Sequence, residues 1–174
     1  QVNFWTNLSV LDVAAGGGHT CAMLNDSTVR CWGWNDKGQI GDDSDNDRPT
    51  PREAHLPDGS TPVNIVAGYE HTCATLSDGS LRCWGSNAQG QVGDGSQDDK
   101  REEPRTVVLP RLRTSVLIVA GRAHNCAVLD DGMMRCWGSG LFGQLGLNST
   151  YSYGIPQKTQ GLPLLIGDDP GVWS

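Results

Sequence analysis

Gly68-Tyr69-Glu70-His71-Thr72-Cys73-Ala74-Thr75-Leu76-Ser77-Asp78-Gly79-Ser80-Leu81-Arg82-Cys83-Trp84-Gly85 reads as two short strands folded about a tight turn, with a cysteine near the middle of each. The same sentence recurs from Gly16 to Asp42 and from Gly121 to Asn148, placing His19, His71 and His124 52 and 53 residues apart. A period of that size belongs to solenoids, propellers and arrays. If Gly79 takes the left-handed conformation in a three-residue loop, Leu76 faces Ser80 and Cys73 faces Cys83. Directly opposed cysteines stand at about the separation a disulfide needs.

Six cysteines allow 15 pairings, and the repeat singles out Cys21–Cys31, Cys73–Cys83 and Cys126–Cys136. Each closes a short loop, for an expected stabilisation of roughly 2–3 kcal/mol on the loop-entropy account. Zinc is the rival reading, but these pairs lack the close spacing of structural zinc sites. Disulfides are favoured, and with them an oxidising compartment. The acceptor triplets at Asn7, Asn25 and Asn148 agree with that, so N-linked glycans and a secreted, extracellular protein are expected.

Around each hairpin the pattern continues. Leu11-Asp12-Val13-Ala14-Ala15, Val63-Asn64-Ile65-Val66-Ala67 and Val116-Leu117-Ile118-Val119-Ala120 are β-branched apolar runs ending at a glycine, which read as inner strands. After each hairpin comes a Gly-Gln-x-Gly turn with one apolar anchor, then a variable segment. In the middle copy Thr106-Val107-Val108-Leu109 reads as an outer edge strand between prolines. Alternation within the hairpin puts Thr72, Ala74, Leu76, Arg82 and Trp84 on one face and His71, Cys73, Thr75, Leu81 and Cys83 on the other. Neither is plainly solvent-like, as expected for a sheet packed on both sides.

The fold class is therefore all-β: propeller blades of about four antiparallel strands, over 11–62, 63–115 and 116–163. Residues 164–174 read as the start of a divergent fourth repeat, and 1–174 as one repeat domain. Three blades do not close a ring, so open edges and apolar faces need covering. The terminal segments Val2 to Val10 and Leu162 to Ile166 are candidates for exchange between subunits.

Composition narrows the function. A net charge of −7 disfavours nucleic acid and anionic membranes as partners, and no window approaches the ~18 apolar residues of a membrane span. No leader with a charged and an apolar region opens the sequence, and Gln1 suits a mature terminus or a fragment boundary equally. Asp42, Asp43, Asp45 and Asp47 resemble the start of a calcium loop. Counting from Asp43, the glycine at the sixth place and the glutamate at the twelfth are missing, so Asp43, Asp45 and Asp47 read as a solvated acidic loop before a metal site. The three histidines are expected to make one repeated hydrogen bond, each inside its own blade, and Arg30, Arg82 and Arg135 to pair within theirs. Trp32, Trp84 and Trp137 read as packing between blades. Trp34, Tyr69, Phe142, Tyr151 and Tyr153 do not repeat and are the candidates for partner contact. No phosphate loop, free cysteine or Ser-His-acid set stands out, so no catalytic residue and no cofactor is expected.

The motif A-G-x-x-H-x-C-A-x-L-x-D-G-x-x-R-C-W-G-x-N-x-x-G-Q-x-G closely resembles the repeat of the regulator of chromosome condensation family, in its secreted, cysteine-containing form. The resemblance spans about residues 11 to 163 and implies a β-propeller, usually seven-bladed. The copies depart at Ser27 (for the turn glycine), at Gly140 (for Asn35 and Asn87) and at Leu147 (for an acidic residue). The family's founding member is a guanine-nucleotide exchange factor, a role that fits poorly with disulfides and glycan acceptors. Its secreted relatives are protein-binding propellers, some of them inhibitors of extracellular enzymes. The expectation is thus a non-catalytic secreted scaffold, structural or adhesive, binding itself as a homo-oligomer or fibre. A recognition fragment of a larger extracellular propeller, binding another extracellular protein, is the alternative.

Overall fold

A computed structural model describes residues 7–162 of the chain. Twelve strands run in order among them, in three four-stranded antiparallel sheets. The first is β1 (Val10–Ala15), β2 (His19–Leu24), β3 (Val29–Gly33) and β4 (Arg48–Glu53). The second is β5 (Pro62–Ala67), β6 (His71–Leu76), β7 (Leu81–Ser86) and β8 (Lys100–Thr106). The third is β9 (Ser115–Ala120), β10 (His124–Leu129), β11 (Met134–Gly138) and β12 (Tyr153–Lys158). Each sheet pairs its strands in sequence order, and β1, β5 and β9 lie beside one another, so each sheet is a blade with its first strand innermost. The segments before Asn7 and after Leu162, with most of the proposed exchange strands and the whole fourth-repeat start, lie outside the described residues.

The hairpins form as their sequence dictates. Cys21 faces Cys31, Cys73 faces Cys83 and Cys126 faces Cys136 in register, and each pair is a disulfide. The Asp78 carboxylate accepts the Ser80 N–H at 2.9 Å, Leu76 N–H donates to the Ser80 carbonyl, and Gly79 has φ +78°. Asp26 and Asp131 brace their turns the same way, and Ser27 takes φ +66° where its siblings have glycine. At Gly79 a Cβ would also stand 2.3 Å from that of Thr114. Gly79→Val is therefore expected to destabilise the protein by about 2 kcal/mol, read as a lower denaturant midpoint. An unchanged midpoint would count against this account of the turn.

The core lies between blades. The Cys21–Cys31 face of the first blade, with Met23, Val29 and Ile40, packs against Ile65, Ala74 and Trp84 of the second. The Cys73–Cys83 face, with Leu81 and Val92, packs in the same way against Ile118, Ala127 and Trp137. Every residue of β6 is buried because the middle blade has a neighbour on each side.

One strand differs from the sequence reading. The outer strand of the middle blade is Lys100–Thr106, not Thr106-Val107-Val108-Leu109. Strand β8 lies on the rim, with a neighbour on one edge only, so it needs no apolar run and is built of charged residues. Val107 follows it as a buried plug, its N–H on the Leu81 carbonyl, while Val108 N–H turns away to Gly93.

Candidate functional site

The repeated histidine does not bond within its own blade, as the sequence suggested; it reaches the next one. His19 Nε2 lies 2.8 Å from the Thr72 hydroxyl, which donates onward to the Gln39 carbonyl at 2.9 Å. A hydroxyl has one proton, so His19 must be the donor and carries its proton on Nε2. The Trp84 indole N–H donates to that same Gln39 carbonyl at 2.9 Å. At the second junction His71 Nε2 meets Asn125 Oδ1 at 2.9 Å, and Asn125 Nδ2 and Trp137 Nε1 both donate to the Gln91 carbonyl. The residues after the second and third histidines, Thr72 and Asn125, thus serve the preceding blade, which no pattern within one strand reveals.

Glycine makes room for this lock. A Cβ on Gly68 would stand 2.1 Å from the His71 ring and 2.6 Å from the Gly121 carbonyl. Burial, and then the neighbouring His71, push His19 down to about 4. Burial likewise brings His71 to about 4, with the Asn125 bond opposing and His124 adding to the fall. Both Nδ1 atoms are buried without a hydrogen-bond partner among the described residues, so a second ring proton would have no acceptor.

At the two ends of the stack the lock is half made. Among the described residues His124 and the Gln144 carbonyl have no partner on the trailing face, nor have the Thr20 hydroxyl and Trp32 indole on the leading face. Apolar exposure follows the same rule. Val13 is 60% exposed where its counterpart Ile65 is 3% exposed, and Val119 is 52% exposed where its counterpart Ala14 is 9% exposed. Cys126 is half-buried, unlike the other bridged cysteines. In the same blade an apolar hollow of about 260 Å³ is lined by Val128, Met133, Met134 and Leu162.

The second surface is the end of the blades that carries the loops after the first and third strands. All five non-repeating aromatics fall there. Tyr69 is edge-on to Trp34 at 6.5 Å and lies beneath the Arg122 guanidinium at 5.0 Å. In the first two blades the loop after the third strand is tied by a polar box. Asn35 Oδ1 accepts the Ile40 N–H, its Nδ2 donates to the Ser44 carbonyl, and Arg48 pairs with Asp42 at 2.5 Å. Asn87, Asp94, Ser96 and Arg101 repeat it. In the third blade Gly140, Leu147 and Tyr153 stand at the Asn, Asp and Arg positions. The Tyr151 carbonyl closes into the space, 1.8 Å from where a Gly140 Cβ would be. This loop presents Leu141, Phe142 and Tyr151 to solvent, Phe142 being 90% exposed.

The acidic loop spends its carboxylates separately. Asp45 pairs with Lys100 of the next blade at 2.8 Å, Asp47 accepts the Asn35 N–H at 2.9 Å, and Asp43 sits at φ +58° with its N–H on the Glu102 carbonyl. Asp43, Asp45 and Asp47 therefore do not converge, and among the described residues no group of three or more His, Cys, Asp or Glu side chains is placed to hold a metal ion. The arginines do pair within their blades: Arg30 with Asp26, Arg82 with Thr106, and Arg135 with Asp131. Asn7, Asn25 and Asn148 are all exposed. Only the Asn25 amide is bonded on both sides, donating to the Asn7 carbonyl and accepting the Ser9 N–H.

Disulfide-stapled four-stranded blades locked by a shared His–Gln–Trp set define a repeat β-propeller. The chain belongs to the regulator of chromosome condensation (RCC1) repeat family, whose repeat matches at residues 10–39, 63–91 and 116–144. A second description of that repeat matches at 26–75 and 78–128. The chain is 34% identical over 152 residues to the ultraviolet-B receptor UVR8 of Arabidopsis thaliana, covering 87% of this chain and 34% of that protein. It is 32% identical over 162 residues to the probable E3 ubiquitin-protein ligase HERC3 of Homo sapiens, covering 92% of this chain and 15% of that one. The crystal structure of yeast RCC1 (Prp20) bound to Kap60 superposes with a TM-score of 0.80 at 24% identity, over 87% of this chain and 37% of that one. The chain thus spans about a third or less of these relatives, and the structural likeness speaks for the fold.

Proposed function

We propose that the chain is a non-catalytic, secreted scaffold, structural or adhesive, that self-assembles by receiving further blades on its open ends. The half-made lock carries this reading: His124 and the Gln144 carbonyl at one end match, type for type, the Thr20 and Trp32 groups at the other. An exposed apolar face beside unmet hydrogen-bond groups is a surface built to be covered. Three bridges favour an oxidising compartment. Light scattering with electron microscopy of the secreted protein tests assembly: mass that grows with concentration, as rings or fibres, supports it. A particle fixed at the mass of one chain counts against it.

In the same material Asn148, exposed and in the left-handed region with φ +52°, is the acceptor expected to carry glycan. Peptide mapping after enzymatic deglycosylation checks this, and an unmodified Asn148 in secreted protein goes against it. A recognition module for another extracellular protein is the second reading. The observation favouring it is the third-blade loop, where a polar box gives way to Leu141, Phe142 and Tyr151.

A further inference from the structure

We infer that the Arg111–Leu112 peptide bond, in the loop joining the second and third blades, is a site of limited cleavage by an Arg-specific serine endoprotease. The inference goes beyond self-assembly and uses only the extracellular setting of that reading, where such proteases act. The loop joining the first and second blades is its internal comparison, because the same turn recurs in both. Ser60 N–H donates to the Pro57 carbonyl, and Arg113 N–H to the Pro110 carbonyl, each at 3.0 Å. Gly59 fills the left-handed place of the first turn with φ +73°, and Leu112 fills it in the second with φ +62°. A bulky side chain is strained in that region. Leu112 is 88% exposed, so packing within the chain does not offset the strain.

A serine endoprotease takes its substrate as an extended strand, so a folded chain is cut where it can leave its native conformation locally. Opening this turn gives up the Arg113–Pro110 hydrogen bond and moves Leu112 to the extended region its side chain favours. The other cationic residues are less available. Of the 13 lysines and arginines, nine lie in strands: one each in β3, β7, β11 and β12, two in β4 and three in β8. Lys37 N–H is held by the Gln39 side chain, and Arg122 grips Tyr69 with both its carbonyl and its guanidinium. Arg113 reaches Asp130 and Asp131, and the Thr114 carbonyl after it accepts the Asp130 N–H. Arg111 is exposed and has no ion pair among the described residues. Cleavage adds water across the bond, leaving a carboxylate on Arg111 and an amino group on Leu112. Every disulfide lies within a blade, so no covalent link then joins the third blade to the second. The His71–Asn125 bond and the apolar junction still hold them together.

The test treats the folded, unreduced chain with a small amount of trypsin and follows intact masses over time. One early cut after Arg111 is expected, the two fragments together gaining the mass of one water. They co-elute in native buffer and separate in denaturant without a reductant. Arg111→Gln removes that cut. Leu112→Asn, a residue that tolerates the left-handed region, slows it about fivefold while the melting point holds or rises. Asp58→Arg puts the same recognition residue into the glycine-containing twin turn, where cleavage is expected to be about fivefold slower than at Arg111. A first cut anywhere else overturns the inference. So does a chain that resists or inhibits trypsin under conditions that digest its reduced, unfolded form. Equal cutting of the two turns in Asp58→Arg overturns it as well, because exposure alone would then decide. None of these readouts depends on whether the chain assembles, so the two readings fail separately.

Discussion

Trp84→Ala is expected to cost about 4 kcal/mol of stability, whereas the same change at Trp32 costs about 1–2 kcal/mol in a monomer. Trp84 is fully buried against the Cys21–Cys31 face, and its indole N–H is held by the Gln39 carbonyl. Truncation there removes a large apolar volume between two sheets and one donor from a buried acceptor. Trp32 has the same sequence neighbours but no preceding blade among the described residues, and it remains half-buried. Denaturant unfolding of both variants at low protein concentration measures the difference. Equal losses would mean that the leading face is already covered in the single chain. Under conditions of assembly the Trp32 penalty should rise towards that of Trp84, because the indole then enters an interface like the internal ones.

Acidification should weaken the fold before the carboxylates respond. His19 and His71 each titrate near 4 in the folded chain against an ordinary 6.5. Between those values the unfolded chain binds more protons than the folded one, so stability falls as pH falls from about 6.5 to about 4 and is fully present above that window. Each imidazole contributes on the order of 3 kcal/mol across it. Burial raises Asp42 and Asp94, but bonds from serine and arginine outweigh it and leave both below the usual carboxylate range. Their contribution is therefore lost at lower pH still, separating the two effects. Melting temperature followed from pH 7 to pH 4 checks this, and a flat profile through that interval would remove the neutral imidazoles from the lock.

The hairpins were legible in the sequence because each is set by local chemistry. Asp78-Gly79 sets the turn, and the turn sets the Cys73–Cys83 register. Two features were not legible. Lys100–Thr106 lies on the rim, where solvent imposes no apolar alternation, so the neighbouring valines carry the stronger strand pattern. The histidine bonds depend on stacking, which no single strand encodes. The pairs His19-Thr20, His71-Thr72 and His124-Asn125 held the signal, in that each histidine is followed by a small hydrogen-bonding residue. The third-blade loop was legible in part. Gly140 and Leu147 stood out as departures, but only the structure adds Tyr153 at the place of Arg48 and Arg101, turning scattered changes into one exchange of a polar box for an apolar surface.

At the innermost loops, Gly17 N–H donates to the Tyr69 carbonyl, and Tyr69 N–H donates to the Arg122 carbonyl. These three residues occupy one place in successive repeats and have nothing in common as side chains. The coupling there runs through groups that every residue except proline possesses. Alignment at the axis is thereby carried by backbone groups and not by a shared side chain. The freedom this leaves is unequal: a Cβ at Gly17 would stand 2.6 Å from the Tyr69 carbonyl, so the first repeat is held to glycine, while the later two carry the side chains of Tyr69 and Arg122 at the mouth of the axis.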